Sequence, residues 1–348
     1  MKLSFEKSDL LNGINIVLKA VPSKTTMPIL ECILVDATSN EIKLTANDME
    51  LAIETIVPGT ILEPGRVAID AKLFSEIVRK LADSNVIIEE DGNENIRISC
   101  EKANFNISGK RGDDFSFMPA LEKKEYISIS QFTLKEIIRQ TIFSIAPNEN
   151  NKLMTGELFS IDENSLQVVS LDGHRISIRN VELRDHYARK KVVVPGKTLI
   201  EISRILPGDK EKEVDIFFGR NHILFEFDDT VVLSRLIEGE YFRIEQMISS
   251  DFETKVTVNK RELMDSIERS ILLVRESDKK PIIVNIKDDE MELSMNSVIG
   301  SMREEIMIHK TGKDIMIGFN PKFLIDALKV IEEESSIEML DMYGIERS

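Results

Sequence analysis

Hydrophobic and polar positions follow two patterns along this chain of 348 residues. Short β-branched runs, many with alternating polarity and bounded by turn clusters such as residues 91–93 (DGN), predict strands. Segments with apolar residues at helical spacing predict amphipathic helices between them. The strand-like runs include residues 86–89 (VIIE), 96–99 (IRIS), 192–194 (VVV) and 282–286 (IIVNI).

The helical segments occur three times. One set reads 8–11 (SDLL), 135–138 (KEII) and 261–264 (RELM); aligned on Leu11, Ile138 and Met264, its members are 127 and 126 residues apart. A second set reads 71–76 (AKLFSE), 196–201 (GKTLIE) and 321–326 (PKFLID), at spacings of 125 and 125. Two helices with one period predict three similar α+β domains, each with both helices on one side of antiparallel sheet. We place the domains at residues 1–124, 125–251 and 252–348.

The third repeat differs from the second after its last helix. In the second repeat, runs at 216–218, 223–227 and 231–233 have strand character, whereas residues 334–343 (ESSIEMLDMY) do not alternate like a strand pair. We therefore expect the third domain to be truncated, without its closing strands.

Cations recur on the predicted helices. Each second helix carries two of them seven residues apart, and therefore on one face: Lys72 with Arg79, Lys197 with Arg204, and Lys322 with Lys329. The apolar Leu73, Ile77 and Leu81 are expected on the opposite side. One such helix is ordinarily a solvated face. Recurrence in three repeats favours a common surface that binds phosphates without reading sequence.

Composition limits the other possibilities. The formal net charge of −16 argues against nucleic-acid binding unless the cations are gathered on one face. No apolar stretch is long enough for a membrane span, and the first residues lack the apolar core of a signal peptide, so we expect a cytoplasmic protein with no membrane partner. Cys32 and Cys100 lack metal-ligand spacing and are expected to be buried, reduced thiols; no metal or cofactor is predicted.

Asp172 and His174 permit an enzymatic interpretation, a hydrolase with His174 as general base and Asp172 orienting it. The two residues are side by side on one strand face rather than in relay, and no nucleophile elbow or phosphate-binding loop accompanies them. A structural turn at Asp172, in the place of Asp48 in the first repeat, is the preferred interpretation.

Four segments resemble one family: residues 24–30 (KTTMPIL), 70–74 (DAKLF), 171–177 (LDGHRIS) and 320–324 (NPKFL). They are similar to motifs of the bacterial DNA polymerase III beta subunits, the sliding clamps. The resemblance implies three clamp domains per chain and a head-to-tail homodimeric ring around double-stranded DNA, with helices inside and antiparallel sheets outside. It implies a non-enzymatic processivity factor without a cofactor. The implied partners are the DNA polymerase III alpha subunit, the clamp loader and other proteins with clamp-binding motifs.

The resemblance also assigns residues. A hydrophobic cleft for partner peptides would comprise Met154, Leu171, Gly173, His174, Arg175, Ile176, Phe242, Met247, Asn320 and Phe323. The DNA-facing residues would be Lys24, Lys72, Arg79, Lys135, Arg139, Lys152, Lys197, Arg204 and Lys322. The dimer contact would include Phe105, Ile271 and Leu272.

This chain departs from the family pattern at some of these positions. Leu171 stands where Thr is common, Phe242 where Pro is common, and Gln246 where Arg is frequent. With the short third domain, these departures leave an alternative open: a clamp paralogue that does not close and acts as a regulator or an inactive remnant.

Overall fold

The computed structural model describes residues 1–115, 121–147, 151–247, 252–274, 280–332, 337–340 and 344–347. The chain divides into two compact units, Met1–Gly239 and Glu240–Ser348. The first unit holds the first two sequence repeats, and the second unit holds the third. The domain limits near residues 124 and 251 remain predictions.

The described residues contain six α-helices, two in each repeat: α1 (Lys7–Val17), α2 (Ala71–Lys80), α3 (Gln131–Thr141), α4 (Gly196–Ile205), α5 (Lys260–Ile271) and α6 (Pro321–Val330). The two helices of each repeat pack against each other. Asp70, Ser130, Asn259 and Asn320 precede four of them and accept a first-turn backbone N–H, which satisfies a donor that the helix leaves open. Short 3₁₀ helices cover Leu18–Ala20, Pro28–Glu31, Gly112–Asp114, Ile142–Ser144, Lys152–Thr155 and Ile244–Gln246.

The second helices confirm the predicted period, because α2, α4 and α6 begin 125 residues apart. The first helices do not. Their equivalent core residues are Ile14, Ile138 and Ile267, which are 124 and 129 apart. The alignment on Leu11, Ile138 and Met264 was wrong by three residues, about one helical turn. A slip of one turn keeps the apolar face in place, so the pattern alone does not reveal it.

One expectation for α2 was also wrong. Ile77 and Leu81 are buried as predicted, but Leu73 is 42% exposed. Phe74 and Val78, both fully buried, take the core side of this helix instead.

In every repeat a lysine of the first helix forms a hydrogen bond with the C-terminal end of the second helix. Each Nζ donates to the backbone carbonyl just beyond the second helix: Lys7 to Leu81 (2.6 Å), Lys135 to Leu206 (2.9 Å) and Lys260 to Ile331 (2.5 Å). The last carbonyls of a helix have no partner within it and carry partial negative charge. A cation at that point therefore stabilises the helix pair.

The first repeat contributes ten strands: β1 (Lys2–Glu6), β2 (Cys32–Asp36), β3 (Lys43–Asn47), β4 (Leu51–Ile56), β5 (Thr60–Glu63), β6 (Arg66–Asp70), β7 (Asn85–Glu90), β8 (Asn95–Cys100), β9 (Ala103–Ser108) and β10 (Lys110–Arg111). The second contributes six: β11 (Tyr126–Ser130), β12 (Gly156–Leu171), β13 (Ile176–Pro195), β14 (Glu213–Phe218), β15 (His222–Phe227) and β16 (Thr230–Arg235).

A nine-stranded antiparallel sheet joins these two repeats, in the order β10-β6-β2-β3-β4-β16-β15-β14-β11. The joint is the β4–β16 pair, in which Thr55 lies opposite Thr230 and their hydroxyl oxygens are 2.8 Å apart. A five-stranded sheet, β5-β1-β7-β8-β9, and the long β12–β13 hairpin complete the unit. One apolar core between helices and sheets runs through both repeats, so they form a single unit. Both cysteines are buried free thiols, as predicted.

The second unit contains β17 (Thr254–Val258), β18 (Ile282–Lys287), β19 (Glu290–Asn296), β20 (Ser301–Gly312), β21 (Ile315–Phe319), β22 (Ile337–Leu340) and β23 (Gly344–Arg347). They form one sheet, β21-β18-β19-β20-β17-β22-β23, over a core of its own.

The expectation that no strands follow the last helix was therefore wrong, whereas the expectation of a shortened third domain stays a prediction. β22 pairs with β17 and β23 pairs with β22, both antiparallel. The first two repeats have three long strands after the second helix, and the described residues after α6 have two. β22 is only four residues long and its sequence does not alternate, so the sequence does not predict a strand there. The strand forms because β17 provides the hydrogen-bond partners for its backbone.

Candidate functional site

Residues 172–175 form the turn between β12 and β13, and Asp172 holds it together. Its Oδ1 accepts the backbone N–H groups of His174 (3.0 Å) and Arg175 (3.2 Å), and its Oδ2 accepts Nε of Arg175 (3.1 Å). Asp48 holds the 48–51 turn in the same way, through the N–H groups of Glu50 and Leu51. The equivalence of these aspartates is confirmed. The Asp172 carboxylate stabilises the turn, as the preferred interpretation of the sequence predicts.

The 172–175 turn is tied to the end of α3. Arg175 donates to the Phe143 carbonyl at 2.5 Å, and its guanidinium lies 5.3 Å from the centroid of the Phe143 ring. The hydroxyl oxygens of Ser144 and Ser177 are 2.5 Å apart. These contacts order the turn, so a ligand would meet a preformed surface with little entropy left to lose.

Five of the six predicted cleft residues of the first unit lie in this turn or directly beside it in sequence, and the sixth, Met154, lies in the 3₁₀ helix Lys152–Thr155, where its carbonyl accepts the Ala146 N–H (2.8 Å). Gly173 and His174 are exposed, and Met154, Arg175 and Ile176 are half-buried. Gly173 has φ +86°, and an added Cβ would meet no atom within 4 Å. Leu171, only 2% exposed, supports the surface from below. The arrangement offers apolar side chains beside an open stretch of backbone, which suits an extended peptide.

The other four predicted cleft residues belong to the second unit. Phe242 is half-buried and meets the ring of Tyr241 edge-on at 5.5 Å, while Met247 is 52% exposed. Asn320 immediately precedes α6, and its Oδ1 accepts the Lys322 N–H; Phe323 is half-buried in the first turn of that helix.

A buried acid on β12, beside the Thr141 side chain, was not anticipated from the sequence. Glu157 on β12 is 0% exposed, and neither carboxyl oxygen has a hydrogen-bond partner in the described structure. Burial raises the pKa of Glu157 to about 8, an effect that the neighbouring Thr141 side chain opposes only in part. Because the Thr141 hydroxyl donates to the Ile137 carbonyl, its proton is already engaged and burial dominates.

The predicted DNA-facing cations fall into two groups. Lys24, Lys72, Arg79, Lys152 and Lys322 have exposed side chains that form no ion pair within the described part of the chain, although Arg79 also donates to Ser75 Oγ (3.2 Å). The others are engaged within the protein: Arg139 with Glu136 (2.6 Å), Arg204 with Glu201 (2.6 Å), Lys197 with Asp48, and Lys135 with the Leu206 carbonyl. The sequence interpretation missed these carboxylates, although the three-residue spacing of Glu136–Arg139 and Glu201–Arg204 is a readable sign of pairing. Neutralised cations leave a weaker positive surface.

The predicted dimer residues are available at the surface. Phe105 is 38% exposed on β9, the outermost strand of its sheet. Leu272, just after α5, is 77% exposed, and Ile271 is half-buried.

Models of three family domains match consecutive parts of the chain. The N-terminal, central and C-terminal domains of the DNA polymerase III beta subunit match residues 1–119, 128–242 and 245–341. The beta sliding clamp of Bacillus subtilis is 35% identical over 344 residues, covering 95% of this chain and 91% of that protein. The beta sliding clamp of Staphylococcus aureus is 33% identical, with 96% and 91% covered.

Solved structures of DNA polymerase III beta subunits resemble this chain along nearly its whole length. A putative DNA polymerase III beta subunit from Eubacterium rectale is 66% identical, with a TM-score of 0.95 over 98% of this chain and 92% of that one. The DNA polymerase sliding clamp of Bacillus subtilis is 34% identical, with a TM-score of 0.94 over the same shares.

Proposed function

This chain belongs to the DNA polymerase III beta subunit family, and from that premise we propose that it is a sliding clamp. Two copies close head to tail into a ring around double-stranded DNA. The ring tethers the replicative polymerase, the clamp loader and other proteins with clamp-binding motifs. The observation that carries the proposal is the threefold repeat of a helix pair on antiparallel sheet, with sheet continuous across the joint between the first two repeats.

A sliding ring needs attraction to phosphates without a fixed register. The exposed cations on the helices and nearby loops supply diffuse attraction that reads no base sequence. Pairing of Arg139, Lys197 and Arg204 with carboxylates weakens that attraction, which favours movement along the duplex. A net charge of −16 then belongs mainly to the remaining surface.

We further propose that the surface around the 172–175 turn binds partner peptides. Half-buried Met154 and Ile176 give an adaptable apolar contact, and Gly173 leaves room for a second backbone. The protein then acts as an accessory subunit in the cytoplasm and has no catalytic site of its own. No helix in the described ranges is long and apolar enough to cross a membrane.

Retention on DNA tests the ring. The protein is loaded onto nicked circular DNA with a clamp loader, separated from free protein by gel filtration, and then challenged by cutting the circle once. We expect stable retention on circles and rapid loss from cut molecules, because a topological link ends at a free DNA end. Equal loss from circular and cut DNA would overturn the proposal. Light scattering provides the companion measurement, with a dimer expected.

A further inference from the structure

Among the described residues, the second repeat lacks a strand pair that closes the other two repeats. In the first repeat β1 pairs with β5, with Ser4 opposite Thr60, and in the third β17 pairs with residues 308–312 of β20. The equivalent strand of the second repeat is β11, which begins 124 residues after β1 and has β14 as its one strand partner in the described structure. One edge of β11 is therefore open.

The open edge of β11 presents backbone groups to a further strand. The Phe218 N–H donates to the Glu125 carbonyl and the Gln131 N–H donates to the Lys212 carbonyl, so the odd-numbered residues of this segment face β14. The even-numbered residues, Ser128 among them, direct their N–H and C=O groups to the open edge. The sequence of β11, YISIS, has neither the charges nor the proline with which natural sheets protect such edges.

A cavity of about 580 Å³ lies between β11 and β13, on the side of β11 where β1 has its partner β5. The β13 strand bulges there, because Glu163 of β12 is opposite Tyr187 whereas Ser165 is opposite Glu182. Such bulges often occur beside functional sites, where they redirect side chains. The cavity has the volume of a ligand-binding pocket and stands in the place of the strand pair of the other repeats.

The two sides of this cavity differ in chemistry. Its buried side is apolar and consists of Ile127, Ile161 and Phe218. Its outer side carries the carboxylates of Asp185, Glu213 and Asp215. Two lysines also line the cavity, but each lies within 2.9 Å of a glutamate oxygen, so the excess charge is negative. A strand with apolar side chains on one face and basic side chains on the other is complementary to both sides.

Two side chains of the protein already make contacts that such a strand would make. Arg184 is the counterpart of Thr60, 124 residues later, and its Nη1 lies 2.5 Å from Glu213 Oε1. Burial raises the pKa of the Tyr187 phenol, and a hydrogen bond with the Ser128 backbone opposes that rise only in part. Arg184 is exposed and Tyr187 is half-buried. Contacts at such positions contribute little, so a ligand can replace them at small cost.

We propose that the open edge of β11 binds an extended peptide segment of another protein, with alternating basic and apolar residues. The peptide adds as a strand along Tyr126–Ser128, where β5 lies in the first repeat. Its basic side chains share the face of Ser128, which is opposite Asp215, and reach the carboxylates as Arg184 does. Its apolar side chains enter the buried side of the cavity. This site is distinct from the 172–175 turn and does not depend on the proposed ring.

A synthetic peptide tests the strand pairing. The probe is a fluorescent, end-capped pentapeptide of alternating arginine and valine, titrated with the full chain and followed by anisotropy. The arginine N–H groups face β11 in this register, so N-methylation of the central arginine should weaken binding about tenfold. N-methylation of a valine gives a peptide of the same charge and mass and should weaken binding much less. Equal affinities of the two methylated peptides would overturn the proposal.

Variants of the protein test the two contacts separately. Tyr187→Phe removes the hydroxyl group that occupies the Ser128 backbone and should tighten binding of the probe about threefold. Asp215→Asn should weaken binding about threefold, because it removes one charge from the outer side of the cavity. Asp83→Asn, at an exposed acid of the first repeat, is the matched control and should change nothing. Thermal unfolding confirms that each variant is folded. Affinities unchanged by both Tyr187→Phe and Asp215→Asn would rule out this site.

Competition separates this site from the proposed function. An excess of unlabelled clamp-binding peptide should leave the probe bound, because the two peptides occupy different surfaces. Displacement of the probe would place it at the 172–175 turn, so the β11 site would be wrong while the proposed function stands. If the chain leaves circular and cut DNA equally but binds the probe with the expected preferences, the ring fails and the β11 site stands.

Discussion

At the residue scale, Glu157 places a carboxyl group in the core, where neither of its oxygens has a hydrogen-bond partner among the residues that the structure describes. An ionised carboxylate there would be costly, so the group stays protonated up to a pKa of about 8. An unfolded chain ionises near the ordinary value of 4.5. Between these values the folded state holds a proton that the unfolded state has released. Stability from this residue is therefore fully present below about pH 4.5 and is lost as the pH rises towards 8.

Replacing Glu157 by Gln should remove this dependence. The variant is expected to match the unmodified protein near pH 5 and to become the more stable of the two as the pH approaches 8, by up to about 1.4 kcal/mol per pH unit. The midpoint of thermal unfolding, measured at several pH values, checks this. Glu211→Gln, at an exposed site, controls for the loss of one charge. Parallel pH profiles for Glu157→Gln and the unmodified protein would contradict the assignment.

Alanine substitutions at Gly173 and Gly92 distinguish an effect on backbone strain from an effect on peptide binding. Its φ of +86° is matched by Gly92, at φ +84° in another open turn. Gly173→Ala and Gly92→Ala should each cost about 1 kcal/mol of stability, because alanine resists that conformation. Only Gly173→Ala should weaken binding of a fluorescent clamp-binding peptide, measured by anisotropy. Equal affinity in both variants would remove the 172–175 turn from the peptide site.

At the element scale, the three lysine–carbonyl hydrogen bonds between helices show why charge alone does not reveal which face of a helix is directed at a ligand. Lys135 was expected to face DNA, yet its ammonium group caps the end of α4 at the Leu206 carbonyl. Lys7 and Lys260 do the same in their own repeats, from the first residue of their helices rather than the fifth. In all three repeats, one lysine side chain therefore joins the two helices through a hydrogen bond to a helix-terminal carbonyl.

Lys135→Met keeps most of the side-chain volume and removes the cap. We expect a loss of about 1 kcal/mol of stability, since the carbonyl loses a charged donor at a partly solvated site. Lys72→Met, at an exposed position of α2, should leave stability unchanged. Urea unfolding of the two variants measures the difference. A Lys135→Met variant as stable as Lys72→Met would show that this hydrogen bond contributes nothing.

At the scale of the whole molecule, several of the predicted DNA-facing cations pair with carboxylates, which the sequence interpretation did not anticipate. Lys24, Lys152 and Lys322 are exposed, whereas half-buried Arg139 and exposed Arg204 each pair with a glutamate three residues away. Counterion release depends on cations that neutralise phosphates, so the two groups should differ in their effect on binding.

Replacing Lys24, Lys152 and Lys322 by Gln should weaken binding to a short duplex and reduce the slope of log affinity against log salt by up to about 0.9 per residue. The control, Arg139→Gln with Arg204→Gln, should change the slope much less. Titrations at several salt concentrations provide the slopes. A larger effect from the control pair would mean that the glutamates release their arginines to DNA.

The sequence by itself determined the α+β class, the 125-residue period of the second helices and the turn role of Asp172. Each of these depends on local pattern and on spacing along the chain, and both can be obtained directly from the order of residues. The family motifs likewise drew attention to the segment that forms the 172–175 turn, whose role in peptide binding stays a prediction.

Tertiary structure alone decided the rest. The one-turn register of the first helices, the exposure of Leu73, the tail strands and the pairing of Arg139 and Lys197 all depend on which surfaces meet. Burial is a property of the assembled chain: the same glutamate is harmless at a surface and costly under a helix. Glu157 reads as one polar residue in a strand pattern, and only packing around β12 and α3 gave it a pKa of about 8.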